Sequence, residues 1–204
     1  MSMKALLIID VQNDFMPGGA LPVPKGDLVV PVINRLQKKF DLVVATQDWH
    51  PKGHASFAST HVGNKEFDVI KINGLDQVLW PDHCVQGSAG AEFHAQLETS
   101  GIEGIFRKGT NLEIDSYSGF YDNAHLKSTG LTGYLKERGV NEVFVAGLAG
   151  EFCIYFSVMD ALAEGFSVTL IEDATKPLDQ EAFELAKIDI LRKGGQIVTS
   201  HHLK

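Results

Sequence analysis

Runs of apolar, β-branched-rich residues recur along the chain at Ala5–Ile9, Leu42–Ala45, Gly104–Phe106, Val143–Ala146 and Val168–Ile171, with a weaker run at Gln196–Val198. Their continuity, in place of alternation with polar residues, predicts strands buried on both faces. Between them, Leu28–Phe40, Leu131–Arg138, Phe152–Glu164 and Gln180–Lys193 carry apolar residues at helical spacing, and Gly139, Gly165 and Gly194 stand where helices commonly terminate. Strand and helix therefore alternate. Parallel neighbours need long crossovers, and right-handed crossovers put helices on both faces of a sheet. The pattern predicts an α/β fold with three layers, α/β/α, around a central, mostly parallel sheet of about six strands.

Residues 48–102 interrupt this alternation. Gly, Pro, His, Asn and Ser are frequent there and no strong period appears, so a loop-rich functional insertion is expected. No repeat, low-complexity tract or linker divides the 204 residues, and a single domain over 1–204 is the simplest organisation.

Composition narrows the partners. The chain is 44% apolar and 22% charged with a net charge of −8, which offers no basic surface for nucleic acid or anionic lipid. The N-terminus goes from a short apolar run straight into polar residues, unlike a signal peptide, and no apolar stretch is long enough to span a bilayer. With Cys84 and Cys153 the only cysteines, a disulfide framework is a poor explanation, and a reduced cytoplasmic setting is expected. His201 and His202 read as a frayed tail, not a metal site.

In open parallel sheets the functional crevice lies at the carboxyl ends of the strands. Asp10 closes the first predicted strand, Asp48 and His50 follow the second, Lys108 follows the third, and Cys153 opens the helix after the fourth. A cysteine in a first helical turn lies among unpaired N–H groups and the helix dipole, which should favour thiolate and could hold an oxyanion. Position alone equally allows a small buried hydrophobe. Asp10 could accept the thiol proton and Lys108 steady the resulting charge, although strand-end acids and lysines are more often structural. The predicted convergence of the three carries the argument.

Asp48-x-His50, with His83 in Trp80-Pro-Asp-His-Cys, offers a carboxylate and two imidazoles, a donor set suited to Zn2+, Fe2+ or Mn2+. In extended chain the Asp-x-His spacing directs both side chains to one face, though the motif alone is weak. His54 and Cys84 are left out of this set. Phe15, Trp80 and Tyr117 fall in loops that would rim the same edge and could sandwich a flat ring, although packing is the commoner fate of an aromatic.

The ordered motifs ALLIIDVQNDF at 5–15, ATQDWHP at 45–51, WPDHCV at 80–85, RKG at 107–109, DSYSGF at 115–120 and G-x-A-x-x-x-C at 147–153 form a highly specific set. On these, the chain from about Ala5 to Val198 resembles the nicotinamidase/pyrazinamidase branch of the isochorismatase-like cysteine hydrolases. The resemblance implies an amidohydrolase that cleaves nicotinamide to nicotinate and ammonia in NAD salvage, with pyrazinamide as an isosteric second substrate. It implies Asp10, Lys108 and Cys153 as the catalytic triad and Asp48, His50 and His83 as ligands of one divalent metal ion, Zn2+ before Fe2+ or Mn2+. It further implies a cis Leu148–Ala149 bond, an oxyanion hole from the Ala149 and Cys153 N–H groups, and a ring pocket of Phe15, Trp80 and Tyr117. The family commonly has Thr-Asp-Tyr before the cysteine, whereas Gly150, Glu151 and Phe152 stand here, at the expected mouth of the pocket.

Rival readings are another amidohydrolase acting on a carbamoyl or ureido compound, an isochorismatase-type vinyl-ether hydrolase, a non-catalytic binding domain, and a Cys84/Cys153 redox pair. The metal donor set favours a ring amide over the first two, and an idle domain would be expected to lack one of Asp10, Lys108 or Cys153. Homo-oligomerisation is left open.

Overall fold

In a computed structural model, which describes residues 3–203, the strands in chain order are β1 (Met3–Ile9), β2 (Leu42–Asp48), β3 (Val69–Ile72), β4 (Leu75–Val78), β5 (Gly104–Lys108), β6 (Val140–Leu148), β7 (Ser167–Lys176) and β8 (Gln196–Val198). Six of them form one sheet in the order β5-β2-β1-β6-β7-β8, every neighbouring pair parallel. The α/β expectation holds.

The helices are α1 (Val29–Gln37), α2 (Leu131–Glu137), α3 (Tyr155–Ala163) and α4 (Gln180–Arg192). Alternation along β1 explains how they are held. Leu6 and Ile8 point to one face and pack with Val29, Val30, Ile33 and Leu36 of α1. Ala5, Leu7 and Ile9 point to the other and share a core with α2, α3 and α4 through Leu135, Val158, Phe183 and Ile190. Each such fully buried Leu or Ile contributes about 1.5–3 kcal/mol. Gly139, Gly165 and Gly194 follow α2, α3 and α4 with positive φ, the conformation that ends a helix without a Cβ clash.

From β1 the chain moves outward through β2 to β5, then returns to the opposite side of β1 as β6 and moves outward to β8. The direction reverses between β1 and β6, and the connections leaving their carboxyl ends part there to open a crevice.

Three expectations need correction. Residues 48–102 contain the antiparallel hairpin β3–β4, turned by Asn73 and Gly74 at φ 51° and 85°. Two successive positive φ values are the mark of a type I′ turn. The segment before α3 is a π-helical turn, Gly150–Ile154, so Cys153 does not sit in the first turn of a regular α-helix. The chain around His201 and His202 is tied down: Asp173 accepts the Ser200 N–H and hydroxyl at 2.7 and 2.5 Å, and Lys39 donates to the Leu203 carbonyl. Among the described residues, no helix is long and apolar enough to cross a membrane.

Candidate active site

At the carboxyl edge of the sheet, β1 delivers Asp10, β5 delivers Lys108, and the π turn after β6 delivers Cys153. Asp10 leaves β1 at φ 49°, a left-handed conformation, and turns its carboxylate into the crevice. Thr46 of β2 fixes it twice, accepting the Asp10 N–H at 3.2 Å and donating its hydroxyl to Asp10 Oδ1 at 2.6 Å. Lys108 Nζ lies 3.0 Å from Asp10 Oδ2, 3.1 Å from Asp48 Oδ1 and 3.5 Å from Cys153 Sγ, and donates to the Ser116 carbonyl.

All three groups are buried, and burial competes with neighbouring charges in setting their protonation. It raises the Asp10 carboxyl above the usual range; Lys108 opposes this and Asp48 adds to it. Burial disfavours the Lys108 charge, but Asp10 and Asp48 outweigh it and hold the ammonium firmly charged. The Cys153 thiol is pushed well up by burial, with Lys108 pulling the other way and the two carboxylates reinforcing the rise. Burial therefore works against the thiolate preference expected from position: desolvation outweighs the Lys108 charge and raises the thiol instead of lowering it.

Asp48, His50 and His83 converge beside Lys108, one ligand atom of each lying within 4.8 Å of the others. Asp48 Oδ2 is 3.0 Å from His50 Nε2 and 3.3 Å from His83 Nε2. Second-layer bonds set the tautomers. His50 Nδ1 faces the Gly109 carbonyl at 3.2 Å and His83 Nδ1 the Pro81 carbonyl at 2.8 Å. A carbonyl only accepts, so each Nδ1 carries a proton there, and each Nε2 faces the Asp48 carboxylate. Two imidazole lone pairs and a carboxylate oxygen this close repel unless a cation or added proton sits among them, and the donor set fits a divalent metal ion. Burial works against an Asp48 charge, but His50 and Lys108 outweigh it and hold the carboxyl well below the usual range. Gln12 clasps the Asp48 main chain, accepting its N–H and donating to its carbonyl, both at 2.8 Å.

His54 differs. Its Nδ1 accepts the Ser56 N–H at 3.2 Å, which puts the ring proton on Nε2, so the neutral ring offers no free lone pair there. Cys84 is packed in the apolar core with its N–H bonded to Asp14 Oδ2, away from ligand duty.

A narrow cleft connects the two groups; its lining includes Phe15, Trp80, Tyr117, Phe152, Ala149 and Cys153. The Trp80 and Phe152 rings meet edge-on at 4.9 Å and Tyr117 and Phe152 at 5.5 Å, making one aromatic wall. Gln77 of β4 braces it by donating to the Tyr117 hydroxyl and to Asp115. The Leu148–Ala149 bond is cis.

A model of the isochorismatase domain matches residues 4–202. The chain belongs to the isochorismatase family. Within it, the chain is 44% identical over 200 residues to the nicotinamidase of Acinetobacter baylyi, covering 98% of this chain and 94% of the relative. Its fold is similar to a solved Acinetobacter baumanii nicotinamidase/pyrazinamidase, with a TM-score of 0.97 at 44% identity, covering 100% of this chain and 99% of that one. A pyrazinamidase of Pyrococcus horikoshii solved in complex with zinc gives a TM-score of 0.80 at 38% identity over 97% and 99% of the chains.

Gly150, Glu151 and Phe152 have packing roles that extend beyond the pocket mouth. Gly150 is pressed on α4, where a Cβ would lie 2.7 Å from the Phe183 ring. Phe152 joins the cleft wall, and Glu151 is buried against the start of α4. Phe152, expected at the mouth of the pocket, forms part of its wall, and Leu178, in the connection between β7 and α4, lines it too; no periodicity in the sequence points to Leu178.

Proposed function

We propose that this protein hydrolyses the carboxamide of nicotinamide to nicotinate and ammonia through a Cys153 thioester. The observation that carries the reading is the Lys108 ammonium. It touches the Cys153 sulfur, the Asp10 carboxylate and the Asp48 carboxylate at once, so thiol chemistry and the metal-ligand group share one cation beneath an aromatic cleft.

Aromatic walls hold the flat ring with its carboxamide carbon facing Cys153. Asp10, buried enough to be a better base than a free aspartate, takes the thiol proton as sulfur bonds to the carbonyl carbon. The Ala149 and Cys153 N–H groups and Lys108 stabilise the oxyanion. Asp10 passes its proton to the amide nitrogen, the C–N bond breaks, ammonia departs and a thioester remains. Water then attacks that carbon, losing a proton to Asp10; the C–S bond breaks and the proton returns to sulfur. A divalent ion held by Asp48, His50 and His83 would supply a Lewis-acidic position for the ring nitrogen. Zinc in the Pyrococcus relative supports Zn2+ as that ion. Pyrazinamide, with the same ring shape, fits the same cleft. We assign the reaction to NAD salvage in the cytoplasm, where nicotinate is the consumed product.

Benzamide tests the ring assignment, because it keeps the amide and lacks the ring nitrogen. Its kcat/KM should fall at least about 100-fold below that of nicotinamide. Equal values would remove the metal-ligand group from substrate recognition.

A further inference from the structure

Glu151 lies two residues before Cys153, buried in the π turn, and its partners are main-chain amides, not a cation. Oε1 accepts the Asp179 N–H at 2.6 Å and Oε2 accepts the Leu178 N–H at 3.2 Å. Burial raises its carboxyl above the usual range, the amide bonds oppose that rise, and the Asp179 carboxylate, of the same sign, adds to it. An uncompensated buried carboxylate is costly to keep, and two charge-assisted bonds at the start of a 13-residue helix offset that cost. What the bonds join is informative. Leu178 lines the cleft, Asp179 caps α4 by accepting the Ala182 N–H, and the π turn follows directly on Ala149 and carries Cys153 as its fourth residue. On the same side, Gly150 meets Phe183 of α4 with no room for a side chain. One carboxylate thus joins the turn that holds the sulfur to the segment that brings Leu178 to the cleft.

We infer that Glu151 is a positioning residue for amide hydrolysis, holding the Cys153 turn and the Leu178 wall at a fixed separation so that sulfur and oxyanion donors stay in register with the bound amide. The inference rests on the thioester reading above. A glutamine at 151 can accept only one of the two N–H groups and must turn its own NH2 toward the other, whereas an aspartate keeps both acceptors but retracts them by one methylene.

The test is steady-state hydrolysis of nicotinamide by the metal-loaded enzyme, normalised to titrated Cys153 thiol. Glu151→Gln should lower kcat at least about tenfold while KM moves less than about threefold, the signature of lost register in the transition state. Glu151→Asp should fall between the two. A kcat per thiol within about twofold of wild type in Glu151→Gln, with only the melting temperature lowered, would overturn the inference. Should Glu151→Gln fail to fold, Glu151→Asp decides alone: kcat reduced at least about threefold supports the role, and an unchanged kcat ends it. Ammonia release that survives Cys153→Ala would instead remove the thioester reading itself, so the two failures are distinct.

Discussion

Asp10 shows how neighbours, not residue type, decide what a side chain can do. Thr46 fixes its rotamer, burial raises its carboxyl, and the Lys108 ammonium opposes that rise. As the base it must be ionised, so activity falls as pH drops through its pKa, and the acid limb of kcat/KM should lie above the ordinary aspartate value of 3.8. Asp10→Asn should cost about 100-fold or more in kcat. Turnover preserved in that variant would assign the proton to another group. Gly109 is a second informative residue: it takes φ 65°, and a Cβ there would lie 2.5 Å from the His50 ring. Gly109→Ala should weaken metal affinity about 10- to 100-fold by displacing His50 and its carbonyl partner, read by competition with a chromogenic chelator. Unchanged affinity would mean that His50 is not a ligand. Asp10, Lys108 and Cys153 could be picked out from sequence because strand ends in a parallel sheet share an edge. The protonation of Cys153 could not, because it depends on burial supplied by distant segments.

At the scale of elements, continuous apolar runs mark strands covered on both sides, and the six sheet strands were recognisable for that reason. β3 and β4 were not, because their side chains are mostly exposed or half-buried and follow no core-facing pattern. Their one readable signal is Asn73-Gly74 between apolar residues, a hairpin turn lost in a glycine-rich stretch. The omission matters, since β4 carries the Gln77 that braces Tyr117. The π turn was also hidden: the Phe152 and Ile154 N–H groups both reach the Ala149 carbonyl, a choice fixed by packing on α4 and invisible to periodicity. α4 itself opens on a capping aspartate. Asp179→Ala should cost about 1 kcal/mol in urea unfolding by exposing the Ala182 N–H at the helix start. No change would mean that the Glu151 contacts alone hold that end.

For the whole molecule, the reversal of strand order between β1 and β6 brings residues more than a hundred positions apart in sequence to one crevice, and the loop-rich stretch after β2 closes over it with His83 and Trp80. The α/β class and the location of the crevice follow from alternation and handedness, whereas the shape of the cleft follows from loops without a period. Metal-assisted thioester hydrolysis is tested most directly by one assay: ammonia release from nicotinamide by the purified protein, with and without chelator, beside Cys153→Ala. It predicts release that stops on chelation, returns with Zn2+, and is absent from Cys153→Ala although that variant still binds the metal. Release by Cys153→Ala, or none from the metal-loaded wild type, would contradict it.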